Sequence, residues 1–139
     1  MANIDLHVHS FYSERPSEWI LQRIGTKESY TSPEFIYETA KARGMDFVTI
    51  TDHNRIEGSL MLKEKHPENV FTGIETTTYF PDGCKIHMLL YGINEKQFKA
   101  IQLIREDIYD LREYIREHNI AYSVANATFS VNKDRKSVV

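Results

Sequence analysis

The sequence predicts an α/β domain with a largely parallel sheet, and three observations carry that prediction. Short apolar runs rich in β-branched residues alternate with segments of helical period, four of the runs carry histidine or acidic side chains, and one helical segment has clear start and stop signals. The first run is IDLHVHS. In an extended chain residues two apart share a face, so Asp5, His7 and His9 point one way and Ile4, Leu6 and Val8 the other. Residues 11–31 mix aromatic, charged and glycine residues with little period, which predicts a long loop with a short helical candidate, SEWILQRI, around Trp19. Ser32 can cap a helix with Pro33 at its first position and Gly44 just past its end, so PEFIYETAKAR, residues 33–43, is the first firm helix. MDFVTI at 45–50 is the second strand, ending in TDHN, and NVFTGIE at 69–75 is the third. YF and CKIHMLLYG flank Asp82-Gly83, a turn signal that predicts a hairpin over 76–92. Phe98, Ile101, Ile104, Ile108, Leu111 and Ile115 recur at three and four, giving one long helix whose apolar seam is expected to pack on the sheet rather than on a second chain. AYSVANA at 121–127 is the next strand, and NKDRKSVV is a polar tail.

Composition narrows the function classes. The 139 residues fit a single domain, 1–139, but fall short of the roughly 250 typical of a complete α/β barrel. With 41% hydrophobic residues, 27% charged residues and a net charge of −3, the chain reads as a soluble domain with no basic excess to indicate nucleic acid. No charged segment followed by an apolar stretch opens the chain, and no run approaches the length of a membrane span, so neither a signal peptide nor a membrane segment is expected. Cys84 is the single cysteine, which excludes an intrachain disulfide and fits a reducing, cytoplasmic setting. Its place in PDGC reads as a hairpin tip rather than a ligand position.

One regularity carries the functional expectation. The first strand bears His7 and His9, the second ends at Asp52 and His53, the third ends at Glu75, and the fourth bears His87. In parallel α/β folds the carboxyl ends of strands form one rim, where ligands bind. Imidazole and carboxylate together suit zinc, iron or manganese, and a bridging carboxylate such as Glu75 can join two such ions. The chemistry implied is a metal-activated water, with the cations also neutralising the oxygens of a phosphate ester. Taken singly, each residue has a plainer use: the His-x-His pair on an exposed strand, Asp52 and His53 in strand-end hydrogen bonds, Glu75 in an ion pair, His87 as a satisfied core histidine. Their coincidence at four strands is what favours the metal site. His66, before Pro67, and His118, near a helix end, read as surface residues.

DLHVHS, ITDHN, GIE and the His87 of KIHMLLYG resemble, in order and spacing, the motifs of the PHP family, named for polymerase and histidinol phosphatase domains. The resemblance implies a distorted βα barrel, here a partial one truncated on the C-terminal side. It also implies a metal cluster at the carboxyl ends of the strands and hydrolysis of phosphate esters. Carried over by position, His7, His9 and Glu75 would hold one metal, Glu75 and His87 a second, and His53 with Glu14 a third. Glu14 stands where members usually carry Asp or His. Asp52 would orient a ligand histidine, and Asp52, His53 and Glu75 are the residues assigned to catalysis. Arg15, Arg23 and Arg55 lie near these motifs and can receive a substrate phosphate through paired hydrogen bonds, or simply be solvated.

Two departures bear on activity. Asn126 and Ala127 occupy the place of an AHP-like motif whose histidine serves the second metal, leaving the Asn126 amide oxygen, a poorer partner for zinc or iron, as the candidate ligand there, and a late Asp-x-His motif is absent from the 139 residues. The expectation is therefore one or two divalent transition metals, Zn, Mn or Fe, per chain, acting on a small-molecule phosphate ester. The alternatives are a catalytically silent metal-binding module and an amidohydrolase-like hydrolase. An unfinished barrel leaves sheet edges and apolar faces uncovered, so a homo-oligomer is also expected.

Overall fold

The computed structural model of the chain describes residues 1–13 and 31–125. In chain order the elements are β1 (Ile4–Asp5), α1 (Pro33–Ala42), β2 (Phe47–Val48), α2 (Glu57–Lys65), β3 (Gly73–Tyr79), β4 (Lys85–Tyr91), α3 (Glu95–Ile104), α4 (Ile108–Glu117) and β5 (Ala121–Ala125). The helical candidate around Trp19 lies outside the described residues.

The first helix forms for the reasons its sequence suggests. Ser32 Oγ accepts a hydrogen bond from Phe35 N at 3.2 Å, Pro33 occupies the first turn, and Gly44 takes a positive φ of 81° just beyond the end. Helix α2 covers a stretch to which the sequence reading assigns no element; Ile56 at its start offers no side-chain cap and Gly58 stands in its first turn. The glycine answers a packing need: a Cβ there would lie 2.7 Å from Asp52 Oδ2 and 3.0 Å from Ser10 Oγ. The single long helix expected over the isoleucine seam is instead two. Asp107, extended at φ −104° and ψ 119°, accepts from Tyr109 N at 2.8 Å and Asp110 N at 3.4 Å and starts α4 afresh. A strong internal cap thus outweighs the continuity of the apolar stripe. The stripe still serves the core, since Ile101, Leu111 and Ile115 are buried with Ile74, Met88 and Leu90.

The sheet departs from a largely parallel one. β1 and β2 pair in parallel with Ile4 opposite Phe47, and isolated parallel bridges join Val48 to Val70 and His53 to Glu75. β3, β4 and β5 form an antiparallel meander. The reason is the tight turn at 80–84, where Phe80 N donates to Cys84 O and Cys84 N to Asp82 Oδ1, each at 2.9 Å, reversing the chain where a parallel sheet needs a crossover.

β1 is also shorter than its alternation suggests. Its pairing with the second strand runs through Asn3 O, which accepts from Asp46 N, and then through Val8 O, which accepts from Thr51 N at 2.7 Å. An odd residue faces the neighbour first and an even one afterwards, so the ladder loses register near His7. Val8 packs against the buried cluster of Ile36, Val48, Ile50, Leu62 and Val70. Leu6, expected beside it, remains 43% exposed. Among the described residues no helix is long and apolar enough to cross a membrane.

Candidate metal centre

Four imidazoles converge on one carboxylate. His7 and His9 come from the segment after β1, His53 from the turn after β2, Glu75 from the third position of β3 and His87 from the third position of β4. Thr77 lies directly opposite His87 in the antiparallel ladder, and Glu75 lies two residues before Thr77, so all three share one face of the meander. Glu75 is thus inside its strand rather than at the end, and it is 2% exposed. The parallel bridge between His53 and Glu75 holds the two main chains together: Glu75 N donates to Asp52 O at 3.0 Å, and Asn54 N donates to Glu75 O at 2.9 Å.

Glu75 Oε2 lies 2.8 Å from His7 Nε2, 2.9 Å from His9 Nε2 and 3.8 Å from His53 Nδ1, while Oε1 lies 3.7 Å from His87 Nδ1. The His7 and His9 Nε2 atoms are themselves 3.0 Å apart. Protons serve this triangle poorly. If both nitrogens donate to Oε2 their hydrogens oppose each other, and if one donates to the other it cannot also donate to the carboxylate. A cation bound by all three lone pairs resolves the conflict, and the spacing is only slightly tighter than the roughly 3.3 Å between ligands around a tetrahedral zinc with bonds near 2.0 Å. Two groups result, His7–His9–Glu75 and His53–Glu75–His87, each with its ligand atoms within 4.8 Å of one another and sharing Glu75. Burial raises the Glu75 carboxyl, but the hydrogen bond from His9, the charge on His53 and the hydrogen bond from His7 outweigh it and hold the group down to about 2.

The surrounding hydroxyls were not singled out from the sequence. Ser13, fully buried, accepts from His53 N at 3.1 Å and sits 3.4 Å from His9 Nδ1. Thr77 Oγ1 sits 3.2 Å from His87 Nδ1 and accepts from Asn54 Nδ2 at 3.3 Å. Asn54, at a positive φ of 51°, also takes the Thr77 amide through its Oδ1 at 3.0 Å. The available signals were the period of two from Glu75 to Thr77 and an asparagine closing TDHN, a residue type that tolerates the left-handed region.

Asp52 differs from its expected part. Its carboxylate accepts from Ser10 N and Ser10 Oγ, each at 2.6 Å, so it braces the backbone beside His9 rather than a ligand ring. Burial pushes this carboxyl up, against the Ser10 bonds and the nearby His9 and His53. Arg55 pairs through Nε with Glu57 Oε2 at 3.0 Å. Glu14, Arg15, Arg23 and Asn126 lie outside the described residues. His118 stacks on Tyr114 at the surface, whereas His66, also read as a surface residue, is partly covered: it stacks on Tyr37 at 3.7 Å and meets Glu34 Oε1 at 2.9 Å, because α1 and α2 pack side by side.

No family model matches the chain. Over 64 residues, 46% of this chain and 36% of the other, it is 38% identical to an uncharacterised protein of Methanocaldococcus jannaschii. Among solved structures it is similar to an amidohydrolase from Chromobacterium violaceum with bound sulfate and no metal. The TM-score is 0.53 and the identity 23%, over 74% of this chain and 33% of that one. It is also similar to a protein from Bifidobacterium adolescentis described as a candidate metal-dependent phosphoesterase, with a TM-score of 0.50 and 22% identity over 75% and 34% of the two chains. The chain spans about a third of the length of the proteins it matches. These likenesses place its mixed α/β fold with those of phosphoesterase and amidohydrolase structures.

Proposed function

We propose that residues 1–139 act as one PHP-type domain, a part of a distorted βα barrel, that binds one or two divalent transition metals and hydrolyses a small phosphate ester. The single observation that carries this reading is the convergence of His7, His9, His53 and His87 on the buried Glu75. The order DLHVHS, ITDHN, GIE and KIH favours the PHP family within that fold class. A cation bound at these groups would supply an acidified water and charge to neutralise phosphate oxygens. The protein's own part is to hold the imidazoles as neutral ligands: Ser13 orients His9 through the ring nitrogen turned away from Glu75, and Asp52 fixes the chain beside His9 through Ser10. Zinc, manganese and iron suit this donor set. Arg15 and Arg55 are the proposed phosphate contacts, Arg55 exchanging its Glu57 partner for the substrate.

The test is hydrolysis of an aryl phosphate by protein purified without chelator, with metal content measured alongside. The wild type is expected to retain one or two transition metals and to gain activity with manganese. His9→Ala should lose at least a hundredfold in rate. Retained metal with no hydrolysis would leave a silent metal-binding module, and a chain that retains none would sink the reading. The likeness to the Chromobacterium violaceum amidohydrolase supports a second reading, which faster cleavage of amides or lactones than of phosphate esters would promote.

We also propose that the chain associates with itself. Phe35 and Phe47 are exposed at a groove of about 160 Å³ lined also by Val8, Ile36 and Met45, and Ile4 and Leu6 are exposed on the segment of β1. Light scattering is expected to give a mass of at least two chains at micromolar concentration, and a monodisperse monomer would refute the association.

A further inference from the structure

The segment Leu6–Ser10 carries both His7 and His9, yet the regular ladder that should hold it ends at Asp5. On its β2 side it is well anchored. Val8 N donates to Thr51 Oγ1 at 3.1 Å, Thr51 N to Val8 O at 2.7 Å, and Ser10 N to Asp52 Oδ1 at 2.6 Å. On the side of the meander the anchor is a side chain. Tyr91, the last residue of β4, donates its phenol hydrogen to Leu6 O at 3.0 Å across 85 residues of sequence. The same hydroxyl meets Ser123 Oγ of β5 at 3.2 Å, and the ring rests edge-on against Phe71 with centroids 6.1 Å apart. Tyr91 shares the face of β4 that carries His87, since it lies an even number of residues further along the strand.

The two metal groups differ in their dependence on this contact. His53, Glu75 and His87 are tied to one another by main-chain pairing, through the His53–Glu75 bridge and the β3–β4 ladder. The His7–His9–Glu75 group instead needs Leu6–Ser10 to sit at a fixed distance from β3. We propose that Tyr91 is a positioning residue for that group: through the Leu6 carbonyl it pins the His7–His9 segment against the sheet that carries Glu75. Its effect on metal binding rests on the function proposed above, whereas its effect on the segment does not.

The experiment therefore has a metal-free arm and a metal-loaded arm. In the metal-free Tyr91→Phe protein, hydrogen exchange of the amides of residues 6–10 is expected to accelerate about tenfold, while β3 and β4 exchange at the wild-type rate. Cobalt(II) titrations followed by visible absorption are expected to show one binding step weakened about tenfold and the other unchanged. Ser123→Ala, which leaves the Leu6 bond without its second partner, should shift both readouts the same way by less. Wild-type exchange at residues 6–10, or equal acceleration across β3 and β4, would overturn the tether. Equal weakening of both cobalt steps would overturn its selectivity. If the wild type binds no cobalt, the metal reading falls while exchange still decides the role of Tyr91. If Tyr91→Phe does not fold, Ser123→Ala is read instead, and unchanged exchange there counts against the tether.

Discussion

Glu75→Gln is expected to empty both metal groups at once. The carboxylate is the member common to the two, with Oε2 facing His7, His9 and His53 and Oε1 facing His87. Glutamine keeps the shape but presents one neutral oxygen and an amide that repels a cation, so retained metal should fall to near zero and affinity by at least a hundredfold. The same change has a second, metal-free signature. The Glu75 carboxyl is held down to about 2 from an ordinary 4.5, so its ionised form stabilises the folded chain. That contribution is complete above pH 4.5 and fades as pH falls toward 2, when the folded state takes up the proton that the unfolded chain has already bound. The displacement corresponds to about 3 kcal/mol. Urea unfolding of metal-free protein between pH 5 and 2 should therefore show a steeper acid limb in the wild type than in Glu75→Gln. Parallel limbs, or metal retained by the variant, would refute the central place given to Glu75.

The second large effect is steric. Gly73 opens β3 opposite Tyr91, and a Cβ there would stand 2.6 Å from Thr49 Oγ1, 2.9 Å from Ile50 O and 3.0 Å from Thr51 Cγ2. One of those atoms is the backbone oxygen of the fully buried Ile50 and cannot swing aside. Gly73→Ala is expected to destabilise by about 3 kcal/mol, the upper end for overpacking, and to lower the melting temperature on the order of 10 °C. The segment bearing His53 and the strand bearing Glu75 would be forced apart two residues from their bridge, so metal retention should fall with stability. A melting temperature within a degree or two of the wild type would show that the strands absorb a methyl group, against the close approach seen here.

Legibility in the sequence followed how local each signal was. The α1 helix could be read because Ser32, Pro33 and Gly44 act within a turn of their own positions. The imidazoles and Glu75 could be read because strand alternation fixes faces without knowledge of neighbours, and they do meet. What could not be read depended on distant partners. The need for glycine at position 58 depends on the Asp52 carboxylate, which lies in another part of the chain. Asp107 was taken into a continuous stripe because the spacing of isoleucines is blind to a cap inside it. The hairpin around Asp82-Gly83 could be read from its turn, but not that its first arm begins at Gly73 and runs unbroken from TGIE through TTTY, which makes Glu75 a mid-strand residue, nor that β5 adds to it antiparallel. Ser10, Ser13 and Tyr91 carry no pattern of their own, and their parts appear only once the His-x-His segment is in place.

The hairpin that holds Glu75 and His87 also sets an order of assembly. Thr77 and His87, face to face across β3 and β4, are ten residues apart in sequence, whereas His7 must find Glu75 across 68. Closing the shorter loop costs less chain entropy, and antiparallel arms joined by a tight turn form without waiting for the rest of the chain. The His53–Glu75–His87 group is consequently the early one, drawn together by neighbours, and the His7–His9–Glu75 group closes last, when the amino terminus docks. A chain caught partway through folding would present half of its centre, with the amino-terminal histidines still searching for their carboxylate.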